Sequence, residues 1–125
     1  MVRRRRRRYV VLKVLSSEDI PLQLLVNHLE RFREKLFGLL YCRWVNFRIV
    51  YVNENARTLV IQTDHRSLPL VRLLTCLVTE VENCKVLLYC LKVTGTLRKA
   101  KAQADSMGIQ VKYMENLFRE LLQAM

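Results

Sequence analysis

The spacing of apolar residues changes several times along the chain, and each change marks an element. Between Tyr9 and Leu15, Val10, Leu12 and Val14 share one face and Lys13 the other, which predicts a strand. Ser16, Ser17, Glu18 and Asp19 then offer helix-capping oxygens, and Pro21 suits a first helical turn. Leu22, Leu25, Val26, Leu29, Phe32 and Leu36 follow at spacings of three and four, the stripe of an amphipathic helix. Arg31, Glu34 and Lys35 fall on its polar side, and Gly38 can end it in a left-handed cap.

From Arg43 to Val52 the pattern alternates again, with Val45, Phe47, Ile49 and Tyr51 on one face and Trp44, Asn46, Arg48 and Val50 on the other. A polar turn from Asn53 to Arg57 leads into a second strand, Thr58 to Thr63, so the pair reads as a hairpin. Asp64 to Ser67 supply further caps. Leu70, Val71, Leu74, Leu77, Val78 and Val81 then form a second helical stripe, with Pro69 tolerable in the first turn. Cys84 to Val93 is the last strand, with Val86, Leu88 and Cys90 opposite Lys85, Leu87, Tyr89 and Leu91. The order strand, helix, strand, strand, helix, strand predicts an α+β, ferredoxin-like or RNA-recognition-like sandwich. It has a four-stranded antiparallel sheet with two helices on one face.

The other face carries Val11, Val60, Leu87, Tyr89 and Leu91 beside Lys13, Arg48 and Gln62, too apolar to stay bare. Two more helices are predicted to follow: a short basic one from Leu97 to about Met107, and one from Met114 to Leu122 with Met114, Leu117, Phe118, Leu121 and Leu122 as its stripe. The last helix either folds over the open sheet face or docks on a partner. Leu87, Tyr89, Leu91, Leu117, Phe118 and Leu121 are therefore the candidate partner-protein surface. Residues 1–8 read as a basic arm and 9–125 as one domain, a length that suits a single modest core.

Charge changes this picture. Lys and Arg number 22 against 11 acidic residues, a net charge of +11, of which Arg3 to Arg8 supply six and leave +5 on the body. A basic body, unlike a basic tail alone, points to a polyanionic partner, because each neutralised phosphate releases condensed counterions. Nucleic acid is the first expectation, ahead of acidic proteins or membranes. The basic stretch before Tyr9 copies a signal peptide only superficially, since Lys13 interrupts a short apolar run and no small-residue cleavage site follows. No window approaches the roughly 20 apolar residues of a membrane span. A soluble, intracellular protein with no membrane partner is expected.

Candidate chemistry is sparse. Cys42, Cys76, Cys84 and Cys90 contain no closely spaced pair, and His28 and His65 lie far from them, so no metal site is expected and buried free thiols are. Asp64, His65 and Arg66 are neighbours, but a strand-to-helix cap explains them. No nucleophile elbow, Gly-rich phosphate loop or paired His ligands occur, and no catalytic residue is assigned. The loop after the first strand, Ser16 to Asp19, is acidic and lacks glycine, unlike the anion loop of acylphosphatases of this topology. The strand Arg57 to Thr63 has no aromatic, which disfavours base stacking of the RNA-recognition kind and favours recognition of RNA shape and backbone.

Lys92-Val93-Thr94-Gly95-Thr96-Leu97-Arg98-Lys99-Ala100-Lys101 is the most informative segment. It ends a strand, turns at Gly95, offers Thr96 as an N-cap and opens a helix with three cations, a combination suited to phosphate. An ordinary capped helix with a solvated basic face explains it equally well. The arginine run suits an RNA-binding arm, a nuclear address or a solubilising tail. Arg48, Arg57 and Arg66 read as scattered solvated surface.

Met1-Val2-Arg3 with Arg8-Tyr9, the stretch Val50-Tyr51-Val52-Asn53 and Val93-Thr94-Gly95-Thr96-Leu97-Arg98 resemble one family. It is the ribonuclease P protein component two family of archaea, with its eukaryotic Pop-five homologue shared by ribonuclease P and MRP. The resemblance runs from about Met1 to Ala102. It implies a non-catalytic subunit supporting removal of 5′ leaders from precursor tRNA, with the RNA as catalyst. Mg²⁺ is expected on that RNA, and no cofactor on the protein. Implied partners are the ribonuclease P RNA, with MRP RNA as a second candidate, ribonuclease P protein component three, and precursor tRNA indirectly. Gly95, Thr96 and Arg98 match the motif, Lys99 and Lys101 continue its basic helix, and Arg4, Arg5, Arg6, Arg7 and Arg8 match as a basic N-terminal stretch. The compartment would be the nucleus or nucleolus of a eukaryote, which the arginine run favours slightly, or the cytoplasm of an archaeon. Two alternatives stay open: another RNA-binding scaffold, such as a ribosome-associated one, and a ferredoxin-like dimeric regulatory domain.

Overall fold

The computed structural model describes residues 6–41, 45–106 and 111–124, with backbone only for 39–41 and 111–115. The elements are β1 (Arg7–Ser16), α1 (Leu22–Tyr41), β2 (Arg48–Asn53), β3 (Thr58–Asp64), α2 (Leu68–Leu77), β4 (Glu80–Val81), β5 (Cys84–Thr94), α3 (Leu97–Asp105) and α4 (Val111–Ala124). The sheet has five strands in the order β2-β3-β1-β5-β4, antiparallel throughout. Without β4 it is the predicted ferredoxin-like sheet.

The extra strand comes from an early helix stop. The stripe through Val81 predicts a longer α2, yet the helix ends at Leu77 and Val78 is already extended. Glu82 and Asn83 both take positive φ, 52° and 65°, the backbone of a two-residue hairpin loop. That loop turns β4 back onto β5, and Val81 still reaches the core.

β1 is buried on both faces. Val10, Leu12 and Val14 pack with Leu25 and Leu29 of α1, Val71 and Leu74 of α2, and Val86 and Leu88 of β5. Each such side chain contributes about 1.5–3 kcal/mol by leaving water. On the opposite face Tyr9 and Val11 pack with Val60 and with Ala100 and Ala104 of α3. Small residues at 100 and 104, one helical turn apart, let α3 lie close on the strands. Lys13, expected on this second face, is completely buried there and donates to the Ala56 carbonyl.

Two bulges re-phase the alternation. In β5 the register shifts so that Leu91 and Lys92 both face Val11, while Val93 returns to the helix-side core. Strict alternation would have sent Lys92 into that core. In β2 the register shifts between Ile49 and Tyr51. Val45, Phe47 and Ile49 share a face as expected, but Tyr51 crosses to the α3 side with Val50.

Helix ends also differ from the local reading. The first N–H of α1, on Leu22, is met by Glu54 Oε1 at 3.1 Å from the β2–β3 turn, while Ser16 Oγ donates to Glu18 O instead. Gly38 has φ 74° but ψ 167°, so it kinks α1 and does not form a left-handed cap. Leu36, Leu70 and Leu77 of the predicted stripes are exposed because they fall on the flanks of their helices. Of the thiols, Cys84 is buried, Cys90 is half-buried and Cys76 is exposed on α2, against expectation. Cys42, Arg43 and Trp44 lie outside the described residues. Among those described, no helix is long and apolar enough to cross a membrane.

The left-handed turn yields a test. Replacing Asn83 with Gly should leave stability equal or slightly higher, whereas Asn83→Val should lower it by about 1–2 kcal/mol, measured by urea unfolding. Equal midpoints for the two variants would contradict the hairpin geometry.

Candidate nucleic-acid interface

The Gly-Thr segment is built as a helix start. β5 ends at Thr94, whose hydroxyl donates to Thr96 O at 2.9 Å and closes the turn. Thr96 has extended backbone (φ −135°, ψ 144°), and its Oγ1 accepts from Lys99 N at 3.4 Å, capping α3. Gly95 is exposed and needs no special φ. A Cβ there would meet only Arg8 Nη1, at 4.0 Å, which shows how near the Arg8 side chain comes to the turn.

The start of β1 joins the same end of the sheet. Arg7 pairs with Asp64, Arg8 with Thr63 and Tyr9 with Thr94, so the strand begins earlier than its apolar alternation indicates. His65 N donates to Arg6 O at 3.1 Å, tying the β3–α2 loop to this arginine stretch. Arg6, Arg7, Arg98 and Lys99 are exposed and Arg8 is half-buried. Arg4 and Arg5 lie outside the described residues.

Register adds two cations that sequence reasoning set aside. Arg48 pairs with Gln62, Gln62 with Tyr9 and Tyr9 with Thr94, one row across four strands. At about 4.8 Å per strand, Arg48 starts roughly 14 Å from the glycine turn. Arg66 is exposed in the loop bonded to Arg6. Nothing in local sequence could place either residue, because only strand pairing sets the row.

The single carboxylate in these segments is Asp64, and it is turned into the protein. It is buried, and Oδ1 accepts from Ser67 N at 2.8 Å and Arg66 N at 3.0 Å. Burial alone would raise its pKa, but hydrogen bonds from the Ser67 amide, the Asn46 side chain, the Arg66 amide and the Ser67 hydroxyl outweigh that. The pKa is lowered from 3.8. Asp64 thus holds the strand-to-helix turn, as predicted for this trio, and offers little negative charge to the surface.

Other expectations separate. Lys101 stands away from the glycine turn, its Nζ over the Tyr51 ring at 5.4 Å. Tyr51 OH and Asn53 Nδ2 both donate to Asp105 Oδ1, at 2.7 and 2.6 Å, which fastens the end of α3 to β2. Both bonds lower the Asp105 pKa, the Tyr51 bond most, and the bond to Asp105 raises that of Tyr51. Arg57 is no solvated arginine: it donates to Ile20 O at 2.6 Å and Ser16 Oγ at 3.2 Å. The candidate partner surface largely assembles. Leu87, Tyr89, Leu117, Phe118 and Leu121 line an apolar groove of about 230 Å³ together with Leu15. Leu91 does not join it and packs in the cluster under α3. The last helix folds back on the sheet, held by Arg119 to Ser16 O at 3.4 Å and to Asp19 at 3.2 Å.

Ferredoxin-like topology with a cationic helix start defines a small α+β protein whose polar chemistry is electrostatic and backbone-directed. Comparison with known proteins makes this particular. A family model described as the Rpp14/Pop5 family matches residues 8–105, and the chain belongs to that family of ribonuclease P/MRP protein subunits. Among solved structures, a chain in a cryo-EM structure of yeast ribonuclease MRP aligns with a TM-score of 0.61 at 12% identity. The alignment covers 97% of this chain and 98% of that one, and at this identity the likeness bears on fold. No curated protein matches.

Two measurements check the local geometry. Thr96→Ala should cost about 0.5–1 kcal/mol in chemical unfolding, and Thr96→Ser should recover most of it. Asp64→Asn should cost about 1–2 kcal/mol at neutral pH. Because the folded pKa lies below 3.8, the carboxylate's contribution is complete above that value and is lost as pH falls through the folded pKa. The gap between wild type and Asp64→Asn should therefore close below about pH 4. A gap that persists in acid would show that ionised Asp64 is not what holds the turn.

Proposed function

We propose that this chain is a non-catalytic subunit of ribonuclease P, and through the shared family of MRP, that binds and stabilises the catalytic RNA. The observation that carries the proposal is one continuous cationic end of the sheet. It comprises Arg6, Arg7 and Arg8, Arg48, Arg66, and Arg98 and Lys99 around the Thr96-capped turn. Its one acid is buried and hydrogen-bonded. Arg and Lys at this density lower repulsion between neighbouring phosphates, and exposed N–H groups at a helix start add directional donors. Lys101, one turn further along α3, extends the basic face toward β2.

In this reading the RNA, with bound Mg²⁺, cleaves the phosphodiester bond of precursor tRNA. The protein reduces the Mg²⁺ needed to hold the RNA core together. Component three of ribonuclease P would be its protein partner, through the groove between β5 and α4.

Reconstitution tests it. Adding the chain to ribonuclease P RNA and the other subunits should raise leader removal at low Mg²⁺ and matter little at high Mg²⁺. Replacing Arg98, Lys99 and Lys101 with Ala should weaken RNA binding and reduce the salt slope by about one unit per lost phosphate contact, with cooperative unfolding retained. Unchanged affinity and slope would remove this edge from the RNA interface.

A further inference from the structure

The sheet ends on an unusual edge. β4 pairs with β5 only at Lys85 and Cys84, and the next outward N–H, on Val86, reaches Thr79 O at 2.9 Å. Beyond it, alternation points the amides of Leu88 and Cys90 outward, and no strand pairs with them among the described residues. An open edge of this length is a template for one more strand.

The side chains along it are patterned. Lys85 is exposed beside Arg119 at one end, Leu87 and Tyr89 are 45% and 51% exposed in the middle, and Lys92 is exposed at the other end. Leu117 and Leu121 of α4 extend the apolar middle over the sheet face, so an added strand would rest on side chains as well as on backbone. From Lys85 to Lys92 the strand spans about 23 Å at roughly 3.3 Å per residue, the length of a seven-residue segment.

We propose that the outer edge of β5 is a β-augmentation site for an extended segment of a partner protein. One face of that segment would carry an acid, two apolar residues and a second acid. Charge selects this occupant over the alternatives. In a two-fold antiparallel pairing of two copies centred on Leu88, the bulge at Leu91 would set Lys85 of each copy opposite Lys92 of the other, a like-charge contact at both ends. RNA would satisfy the lysines and could stack on Tyr89, but it offers Leu87, Leu117 and Leu121 no aliphatic side chain and the Leu88 and Cys90 amides no carbonyls in strand register. The inference rests on the chain working as one subunit of an assembly and is independent of where RNA binds.

The test uses the full chain and the peptide Glu-Thr-Leu-Thr-Val-Thr-Glu, followed by amide hydrogen exchange in NMR. The peptide should slow exchange at Leu88 and Cys90, and methylation of its alternate backbone nitrogens should abolish binding. Lys85→Glu with Lys92→Glu should weaken the peptide at least tenfold, and Lys-Thr-Leu-Thr-Val-Thr-Lys should restore binding to that variant. Unchanged exchange at the two amides would overturn the proposal. So would their protection in a peptide-free dimer, which would mark a copy–copy interface, or their protection by ribonuclease P RNA alone. Loss of RNA binding in the Arg98, Lys99 and Lys101 variant would leave this result untouched, so the two readings fail separately.

Discussion

The double burial of β1 is the constraint on which the rest of the molecule depends. A central strand with Val10, Leu12 and Val14 on one side and Tyr9 and Val11 on the other needs cover on both faces. Helices α1 and α2 provide it on one side, as in any split β-α-β sandwich. The second side is closed by α3, whose Ala100 and Ala104 sit where larger residues would lift the helix from the sheet. Once α3 lies across the strands, its N-terminus must emerge at the end of β5, beside the start of β1. The cationic end is thus a consequence of core packing.

Arginine divides by environment more than by sequence position. Arg33 donates to Phe47 O at 3.0 Å and covers its ring, Arg57 joins the β2–β3 turn to the start of α1, and Arg119 anchors α4. Planar guanidinium groups with several donors suit such bridging of backbone carbonyls. The arginines at the β1 start and at positions 48, 66 and 98 remain at the surface. A net charge of +11 therefore overstates the charge exposed at the surface, because these guanidinium groups are engaged within the protein.

The bulges in β2 and β5 link fold to surface. Each inserts one residue, and each shifts the phase of side chains toward the proposed interfaces. The β2 bulge turns Tyr51 to the α3 side, where it meets Lys101 and Asp105. The β5 bulge keeps Lys92 out of the core and seats Leu91 under α3, so the groove beside α4 is formed by Leu87 and Tyr89 without it. Membership of the Rpp14/Pop5 family and the likeness of the fold to a chain of yeast ribonuclease MRP give these surfaces a setting.

Periodicity alone determined the order of every element but β4, the ferredoxin-like class and most of the helix-side core, because α and β spacings are local properties of a chain seeking one buried face. Thr96 as a cap and the basic opening of α3 were equally legible, since a cap is read within four residues. Tertiary structure decided what pairing and long-range contact control. It set the bulges, the short β4, the burial of Lys13, the capping of α1 by Glu54, the approach of Arg8 to the glycine turn, and the placement of Arg48 and Arg66 at the same end of the sheet. Register couples residues tens of positions apart, and no local spacing encodes which of two compatible phases wins. Packing settled that choice, because only one phase keeps Lys92 in water and Val93 out of it.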